Sequence, residues 1–162
     1  MKNQLASILI TNFNKDKYLN DTIQSCLVQN YKKKEILIFD DKSTDNSLKI
    51  LKKYKKIKVF KNEKKKFASS PLNQINGIKK LFKKSKGEVI FLLDSDDFFK
   101  KNKIKNIMNL YSKDKNLNFI QDIPYSVKDK RMIKLKYKNH FFSIWPSFYP
   151  TSTISVRKEF FL

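Results

Sequence analysis

The chain has 162 residues, and 36 Lys and Arg against 15 Asp and Glu give it a formal net charge of +21. This length fits one domain, and a hydrophobic content of 40% supplies a packed core, which excludes wholesale disorder. A single cysteine excludes a disulfide framework and a cysteine-rich zinc site, and two glycines exclude a glycine-rich phosphate loop. Because the sequence has no run of 18 apolar residues and no signal-peptide pattern, we expect a cytoplasmic protein.

The positive charge has three explanations, and the composition favours the simplest of them. Nearly all of it is Lys, with Arg only at Arg131 and Arg157, whereas recognition of bases and phosphates usually favours the planar guanidinium group. A compositional bias that fills solvated positions with Lys accounts for this best. An anionic partner, such as the inner face of a membrane contacted peripherally, comes second, and nucleic acid comes last.

Apolar runs and helical spacings alternate along the first 111 residues. Continuous apolar runs predict four buried strands, at Leu5–Ile10, Glu35–Phe39, Ile57–Phe60 and Glu88–Leu93. Apolar residues at helical spacing predict four helices, at Tyr18–Gln29, Asn46–Lys56, Pro71–Phe82 and Lys101–Tyr111. This alternation is typical of an α/β fold with a Rossmann-like, mostly parallel sheet and helices on both of its faces.

The pattern becomes irregular after residue 117. Further strands are predicted at Asn118–Val127, Met132–Tyr137 and Thr153–Val156, and a helix is predicted to begin at Arg157. We therefore expect one domain with a regular α/β half over residues 1–115. Residues 116–162 would begin a less regular half that is truncated at Leu162.

Polar and acidic residues directly follow three of the predicted strands. The carboxyl ends of parallel strands meet at one edge of a sheet, and open α/β sheets bind their ligands there. The residues at these positions are Thr11, Asn12, Phe13, Asn14, Asp40, Asp41, Lys42, Ser43, Asp94, Ser95, Asp96 and Asp97.

Asp94, Asp96 and Asp97 place three carboxylates at the end of the most hydrophobic strand. Two like charges about 4 Å apart repel by about 4 kcal/mol at an effective dielectric constant near 20. A divalent cation relieves this repulsion, and hard oxygen ligands suit Mg²⁺ or Mn²⁺. On its own, the triplet is explained equally well as an acidic turn that caps the next helix. Asp40 and Asp41, which could also form a loop and a cap, add acids at the same edge and favour a metal-bridged diphosphate.

Three stretches, in their order and spacing, resemble the family 2 glycosyltransferases, which have the GT-A fold of nucleotide-diphospho-sugar transferases. They are Ser7–Asn14, Glu35–Asp45 and Gly87–Asp97, and the last resembles the strand that ends in the DxD signature of the family. Thr151–Phe160 is more weakly similar to a later strand near the acceptor. The resemblance implies that residues 1–115 bind a nucleotide sugar and that residues 116–162 begin the acceptor-side half.

The resemblance also implies roles for the residues at the sheet edge. Phe13 would stack on the base, and Asp41 would accept a hydrogen bond from a ring nitrogen, which suits uracil. Asp96 would coordinate Mn²⁺ or Mg²⁺, with Asp94 and Asp97 as neighbouring ligands. The full set implied to bind the nucleotide is Thr11, Asn12, Phe13, Asp40, Asp41, Asp94 and Ser95.

The implied reaction is metal-dependent transfer of a sugar, with inversion, from a nucleoside diphosphate donor to a glycan or lipid-linked acceptor, as in polysaccharide biosynthesis. UDP is the expected nucleotide. A carboxylate would take the proton of the acceptor hydroxyl, and we expect this base to lie beyond Leu162. Two alternatives stay open. One is a nucleotide-sugar-binding module without turnover, and the other is a protein that binds anionic membranes or nucleic acid through its Lys surface.

Overall fold

The computed structural model describes residues 4–63, 67–123, 125–128, 131–134 and 150–161. The strands in these residues are β1 (Ala6–Asn12), β2 (Lys34–Asp40), β3 (Lys58–Lys61), β4 (Val89–Asp94), β5 (Phe119–Gln121), β6 (Tyr125–Lys128), β7 (Arg131–Lys134) and β8 (Ile154–Arg157). The α-helices are α1 (Asp16–Leu27), α2 (Ser47–Leu51), α3 (Ser70–Lys84) and α4 (Lys103–Lys113). Two short 3-10 helices cover Thr151–Thr153 and Lys158–Phe161.

Six of the strands form one sheet in the order β3-β2-β1-β4-β8-β5. The first four are parallel, whereas β8 runs antiparallel to both β4 and β5. The predicted Rossmann-like, mostly parallel sheet is therefore confirmed. Along the chain, β2 and then β3 are added on one side of β1, and the chain then crosses to β4 on the other side of β1. Such a reversal leaves a crevice at the carboxyl ends of the strands, where α/β sheets bind ligands.

Helices cover both faces of this sheet, as the sequence predicts. On one face, α1, α2 and α4 pack against a layer of strand residues that includes Ile8 and Ile10. On the other face, α3 packs against Leu9, Leu37 and Phe39. Because successive strand side chains point to opposite faces, a strand covered on both sides needs apolar residues at every position. None of the helices in the described residues is long and apolar enough to cross a membrane.

Helix α3 lies unusually close to the sheet at Gly77. A Cβ atom at this position would be 2.7 Å from Cδ1 of Phe39 and 3.0 Å from Cγ2 of Thr11. The lack of a side chain permits the close approach. As a result, the first turns of α3 reach the carboxyl ends of β1 and β4, where Gln74 donates a hydrogen bond to Asp94.

The predicted second helix is shorter than expected. It was expected over Asn46–Lys56, but α2 ends at Leu51 and turns follow. Four of the next five residues are lysines, and like charges three and four positions apart on a helix disfavour another turn. The other three helices and the first four strands agree with their predicted bounds to within about two residues.

The second half departs further from prediction. The strand expected over Asn118–Val127 is two strands, β5 and β6, which belong to different sheets. Pro124 stands between them in the sequence, and proline has no amide hydrogen to continue a ladder. Residues 135–137 of the next predicted strand lie outside the described residues. The last strand includes Arg157, and the short helix after it is 3-10.

Candidate active site

The carboxyl ends of β1, β2 and β4 bring the predicted site residues to one edge of the sheet. Asp40 lies opposite Asn12 on one side of β1, and Asp94 lies opposite Thr11 on the other side. Neighbouring strands are about 4.8 Å apart, so the two acidic segments are separated by about 10 Å. The two segments therefore share one edge, as the sequence predicts for a parallel sheet.

Asn12 and Asp40, the last residues of β1 and β2, are buried and support this edge of the sheet. They are 2% and 1% exposed. Asn12 Nδ2 donates hydrogen bonds to Asp40 Oδ2 at 2.8 Å and to Ser43 Oγ at 3.1 Å. The backbone N–H of Ser43 donates to Asp40 Oδ1 at 3.0 Å, and Lys42 between them has a φ of 59°. These contacts close a tight turn directly after β2 and fix the position of Asp41.

Asp41 is held by contacts from the β1 side and from the β3 side. Its backbone N–H donates to the carbonyl of Asn12 at 2.8 Å, and Asn62 Nδ2 donates to its Oδ1 at 2.6 Å. Lys80 of α3 donates to Asn62 Oδ1 at 3.2 Å and lies over the ring of Phe39. The sequence analysis missed Asn62, because one asparagine after a four-residue strand carries no signal of its own.

Thr11 and Phe13 flank the end of β1. Thr11 is half-buried against α3 at Gly77, whereas the ring of Phe13 is 45% exposed at the edge of the sheet. An exposed aromatic ring beside buried polar groups is the arrangement that stacking of a planar base requires. The position of Phe13 is thus compatible with the role that the resemblance implies.

Both carboxylate oxygens of Asp94 accept hydrogen bonds from side chains. Gln74 Nε2 donates to Oδ1 at 2.7 Å, and Thr151 Oγ1 donates to Oδ2 at 2.6 Å. Burial raises the pKa of Asp94 above its ordinary value, against the bond from Thr151, and the charges of Asp97 and Asp96 raise it further. The ionised form of Asp94 therefore depends on its two donors. Neither donor was identified from the sequence.

Asp96 is the most open of the three carboxylates. Its Oδ2 lies 2.7 Å from Nζ of Lys15, and the two side chains are 39% and 42% exposed. The hydrogen bond to Asp96 raises the pKa of Lys15. An exposed pair of this kind contributes only about 0–1 kcal/mol, so the carboxylate stays available to a ligand. Ser95, in contrast, is buried, and its carbonyl accepts a hydrogen bond from Thr22 at 2.9 Å.

Asp97 closes the acidic turn, which we define as residues 94–97. Its backbone N–H donates to the carbonyl of Asp94 at 3.1 Å, and its own carbonyl accepts a hydrogen bond from Thr22 at 2.8 Å. Its Oδ2 accepts a hydrogen bond from Ser152 Oγ at 2.5 Å. The same Ser152 oxygen accepts the backbone N–H of Asp94 at 3.0 Å. The turn is therefore bound to the chain segment that precedes β8.

The acidic turn fits a divalent cation that arrives with a diphosphate. Within the described residues, no group of three or more Asp, Glu, His or Cys could hold a metal ion by itself. In nucleotide sites Mg²⁺ needs fewer protein ligands, since one or two carboxylates bind it together with substrate phosphates. Asp96 offers such a carboxylate, because its side chain is 39% exposed at the edge of the sheet.

Comparison with known proteins gives a family and three informative neighbours. Residues 7–159 match the family model for glycosyl transferase family 2. The chain is 35% identical over 114 residues to the Escherichia coli UDP-Glc:alpha-D-GlcNAc-diphosphoundecaprenol beta-1,3-glucosyltransferase WfaP, covering 69% of this chain and 43% of WfaP. Staphylococcus aureus TarS 1-349 in complex with UDP matches with a TM-score of 0.71 at 20% identity, over 95% of this chain and 47% of TarS. The Pyrobaculum calidifontis mannosyltransferase PcManGT, in complex with GDP-Man and Mn²⁺, matches with a TM-score of 0.63 at 12% identity, over 74% of this chain and 35% of PcManGT.

These matches confirm the predicted GT-A fold, and the chain spans less than half the length of each of these three proteins. The family match takes in all three stretches that carry the resemblance, including the turn after β2 and the acidic turn. It also takes in β8 and the segment before it, which is bound to the acidic turn. On this basis the chain belongs to glycosyl transferase family 2.

Proposed function

We propose that this protein transfers a sugar from a nucleoside diphosphate donor, with UDP as the nucleotide, to a glycan or lipid-linked acceptor. One observation carries the proposal. Two acidic segments, which include Asp41 and Asp96, lie about 10 Å apart at one edge of a parallel sheet. Two neighbours support it, since the name of WfaP specifies a UDP-Glc donor and a diphosphoundecaprenol-linked acceptor, and TarS was solved with UDP.

In this proposal, residues 1–115 bind the nucleotide sugar and residues 116–162 begin the acceptor-side half. Phe13 stacks on the base beside Thr11, and Asp41 accepts a hydrogen bond from N3–H of uracil. Asn12 and Asp40 hold the turn that presents Asp41. Two residues on the ribose side, Asp94 and Ser95, complete the set proposed to bind the nucleotide.

Asp96 would hold Mn²⁺ or Mg²⁺ at the diphosphate, with Asp94 and Asp97 in the same turn. A divalent ion bound there offsets the negative charge that develops on the departing UDP. PcManGT, which was solved in complex with GDP-Man and Mn²⁺, supports the involvement of a divalent metal. Lys15 brings a second positive charge to the same position, and its ammonium group can bind a phosphate oxygen.

Inversion at the anomeric carbon requires a carboxylate that takes the proton of the acceptor hydroxyl. Asp122 is poorly suited to this task, because its two oxygens accept hydrogen bonds from Lys103 Nζ at 2.8 and 2.9 Å. We therefore place the base in the acceptor-side half, outside the described residues. A peripheral contact with an anionic membrane belongs to the same proposal, since the net charge and a lipid-linked acceptor both favour it.

Calorimetric titration of UDP in the presence and absence of Mn²⁺ tests this proposal. We expect Mn²⁺ to tighten UDP binding by tenfold or more, which is about 1.4 kcal/mol, and we expect weaker binding of CDP and GDP. An affinity for UDP that is the same with and without Mn²⁺ would contradict the metal assignment. Incubation with UDP-sugars then separates the two functional alternatives. Release of UDP supports a transferase, whereas binding without transfer or hydrolysis supports a binding module.

Replacing Asp41 with Asn is expected to weaken UDP binding by about 3- to 10-fold, or about 0.7–1.4 kcal/mol. Hydrogen bonds to charged groups contribute about 1.5–3 kcal/mol, roughly twice the neutral value, so an amide oxygen is the poorer acceptor for N3–H. The measurement is the UDP dissociation constant. Asp21, which is exposed on α1, provides the matched control, because Asp21→Asn removes the same charge. Equal weakening in both variants would show that the loss does not come from base recognition by Asp41.

A further inference from the structure

The segment before β8 contacts two of the three carboxylates of the acidic turn. Thr151 Oγ1 donates to Asp94 Oδ2, and Ser152 Oγ donates to Asp97 Oδ2 while it accepts the backbone N–H of Asp94. Each hydroxyl thus binds one carboxylate oxygen. Thr151 and Ser152 are separated from these partners by 55 to 58 residues in the sequence.

This segment is fixed in turn by the elements behind it. Lys103 of α4 donates through Nζ to the carbonyl of Ser152 at 2.9 Å and to Asp122. Thr153 donates through its backbone N–H and its Oγ1 to the carbonyl of Pro150, at 3.0 and 2.8 Å. Ser152 and Thr153 are both buried. The two hydroxyls are therefore presented from a rigid part of the fold and not from an exposed loop.

Without such donors, three carboxylates within four residues would rotate apart or take up protons, because like charges at short range disfavour the ionised forms. Hydroxyl donors favour the ionised form and also fix the direction of each carboxylate. Asp94 and Asp97 each have one oxygen fixed in this way. Asp96, between them in the sequence, is left open to the crevice and to Lys15.

We infer that Thr151 and Ser152 are positioning residues of the diphosphate site, which hold Asp94 and Asp97 so that a cation and a diphosphate can bind at Asp96. This inference rests on the proposed function, since it assigns the two hydroxyls a purpose only if a nucleoside diphosphate binds there. Their effect is exerted through the carboxylates and requires no contact with the ligand. A purely structural role, in which they only secure β8 to the sheet, is the alternative.

Isosteric variants at position 151 separate these roles. Thr151→Val removes the hydroxyl and keeps the shape of the side chain, whereas Thr151→Ser keeps the hydroxyl. In calorimetry with UDP and Mn²⁺, we expect Thr151→Val to lose about tenfold in affinity, while its affinity for UDP alone stays within about twofold. Thr151→Ser is expected to retain the wild-type affinity. Thr153→Val is the matched control, because it removes a hydroxyl of the same turn that bonds only to a backbone carbonyl.

Two results would overturn the inference. One is a wild-type affinity in Thr151→Val, and the other is an equal loss of affinity for UDP with and without Mn²⁺. Should Thr151→Val fail to fold by circular dichroism, Ser152→Ala replaces it, with the same expected loss confined to Mn²⁺-dependent binding. The proposed function is judged separately, because it fails if the wild-type protein itself shows no Mn²⁺-dependent affinity for UDP.

Discussion

Replacing Asp96 with Asn is expected to abolish the strengthening of UDP binding by Mn²⁺. The neutral amide is a poor ligand for a hard divalent cation, and Asp96 is the open carboxylate of the acidic turn. We expect the dissociation constant for UDP with Mn²⁺ to rise by the full factor that Mn²⁺ contributes in the wild type, tenfold or more, which is at least about 1.4 kcal/mol. The affinity for UDP without metal should stay the same or increase, because one negative charge beside the diphosphate is gone. Calorimetry with and without Mn²⁺ measures both effects.

Stability measurements complete the test of Asp96. Its pair with Lys15 is exposed and contributes only about 0–1 kcal/mol, so the midpoint of thermal unfolding should change little. Asp21→Asn, which removes an equal charge from an exposed position on α1, should leave the Mn²⁺ effect intact. If Asp96→Asn retains the full Mn²⁺ effect, the cation binds elsewhere and the assignment of the acidic turn is wrong.

Replacing Arg157 with Met is expected to cause the largest loss of stability among the variants considered. Arg157 is buried in β8, and its guanidinium group donates to the carbonyls of Leu117, Tyr111 and Asp114 at 2.8, 2.6 and 3.1 Å. These carbonyls lie at and just beyond the end of α4, where a positive charge also complements the helix dipole. One of these three bonds is buried and the other two are partly buried. Since a buried carbonyl left without a donor costs about 1–3 kcal/mol, we expect a loss of about 2–4 kcal/mol in the free energy of unfolding.

Urea denaturation followed by circular dichroism measures this loss. Arg157→Lys should recover little of it, since one ammonium group cannot reproduce the planar fork that reaches three carbonyls. Lys113→Met is the control for charge alone, because Lys113 is exposed in the last turn of α4 and its removal should cost less than about 1 kcal/mol. A loss below about 1 kcal/mol in Arg157→Met would show that the carbonyls find other donors.

Much of the fold could be predicted because its central strands are buried on both faces. Such strands need apolar side chains at every position, and β1, β2 and β4 are therefore visible as continuous apolar runs. Once the strands are placed, parallel pairing carries Asp40 and Asp94 to one edge without further information. The GT-A fold followed from the same pattern together with the family resemblance.

The contacts that complete the site could not be predicted, because they join segments that are distant in the sequence. Gln74 and Thr151 lie 20 and 57 residues from Asp94, and no periodicity connects either of them to it. Asn62 and Lys15 are single residues after a strand and before a helix, and they acquire significance only from their neighbours in space. The location of the short strand β8 was predicted correctly. Its antiparallel direction was not, because this direction is decided by packing against β4 and not by the sequence of the strand.

The dependence of the acidic turn on Thr151 and Ser152 has a consequence for synthesis of the protein. The ribosome releases β1 to β4 first, and the carboxylates of the proposed site lie in these strands or directly after them. The two hydroxyls emerge more than fifty residues after Asp94. A nascent chain that has not reached Ser152 carries the carboxylates but lacks the groups that orient them, so the ability to capture a cation and a nucleotide should mature only after this segment has been synthesised.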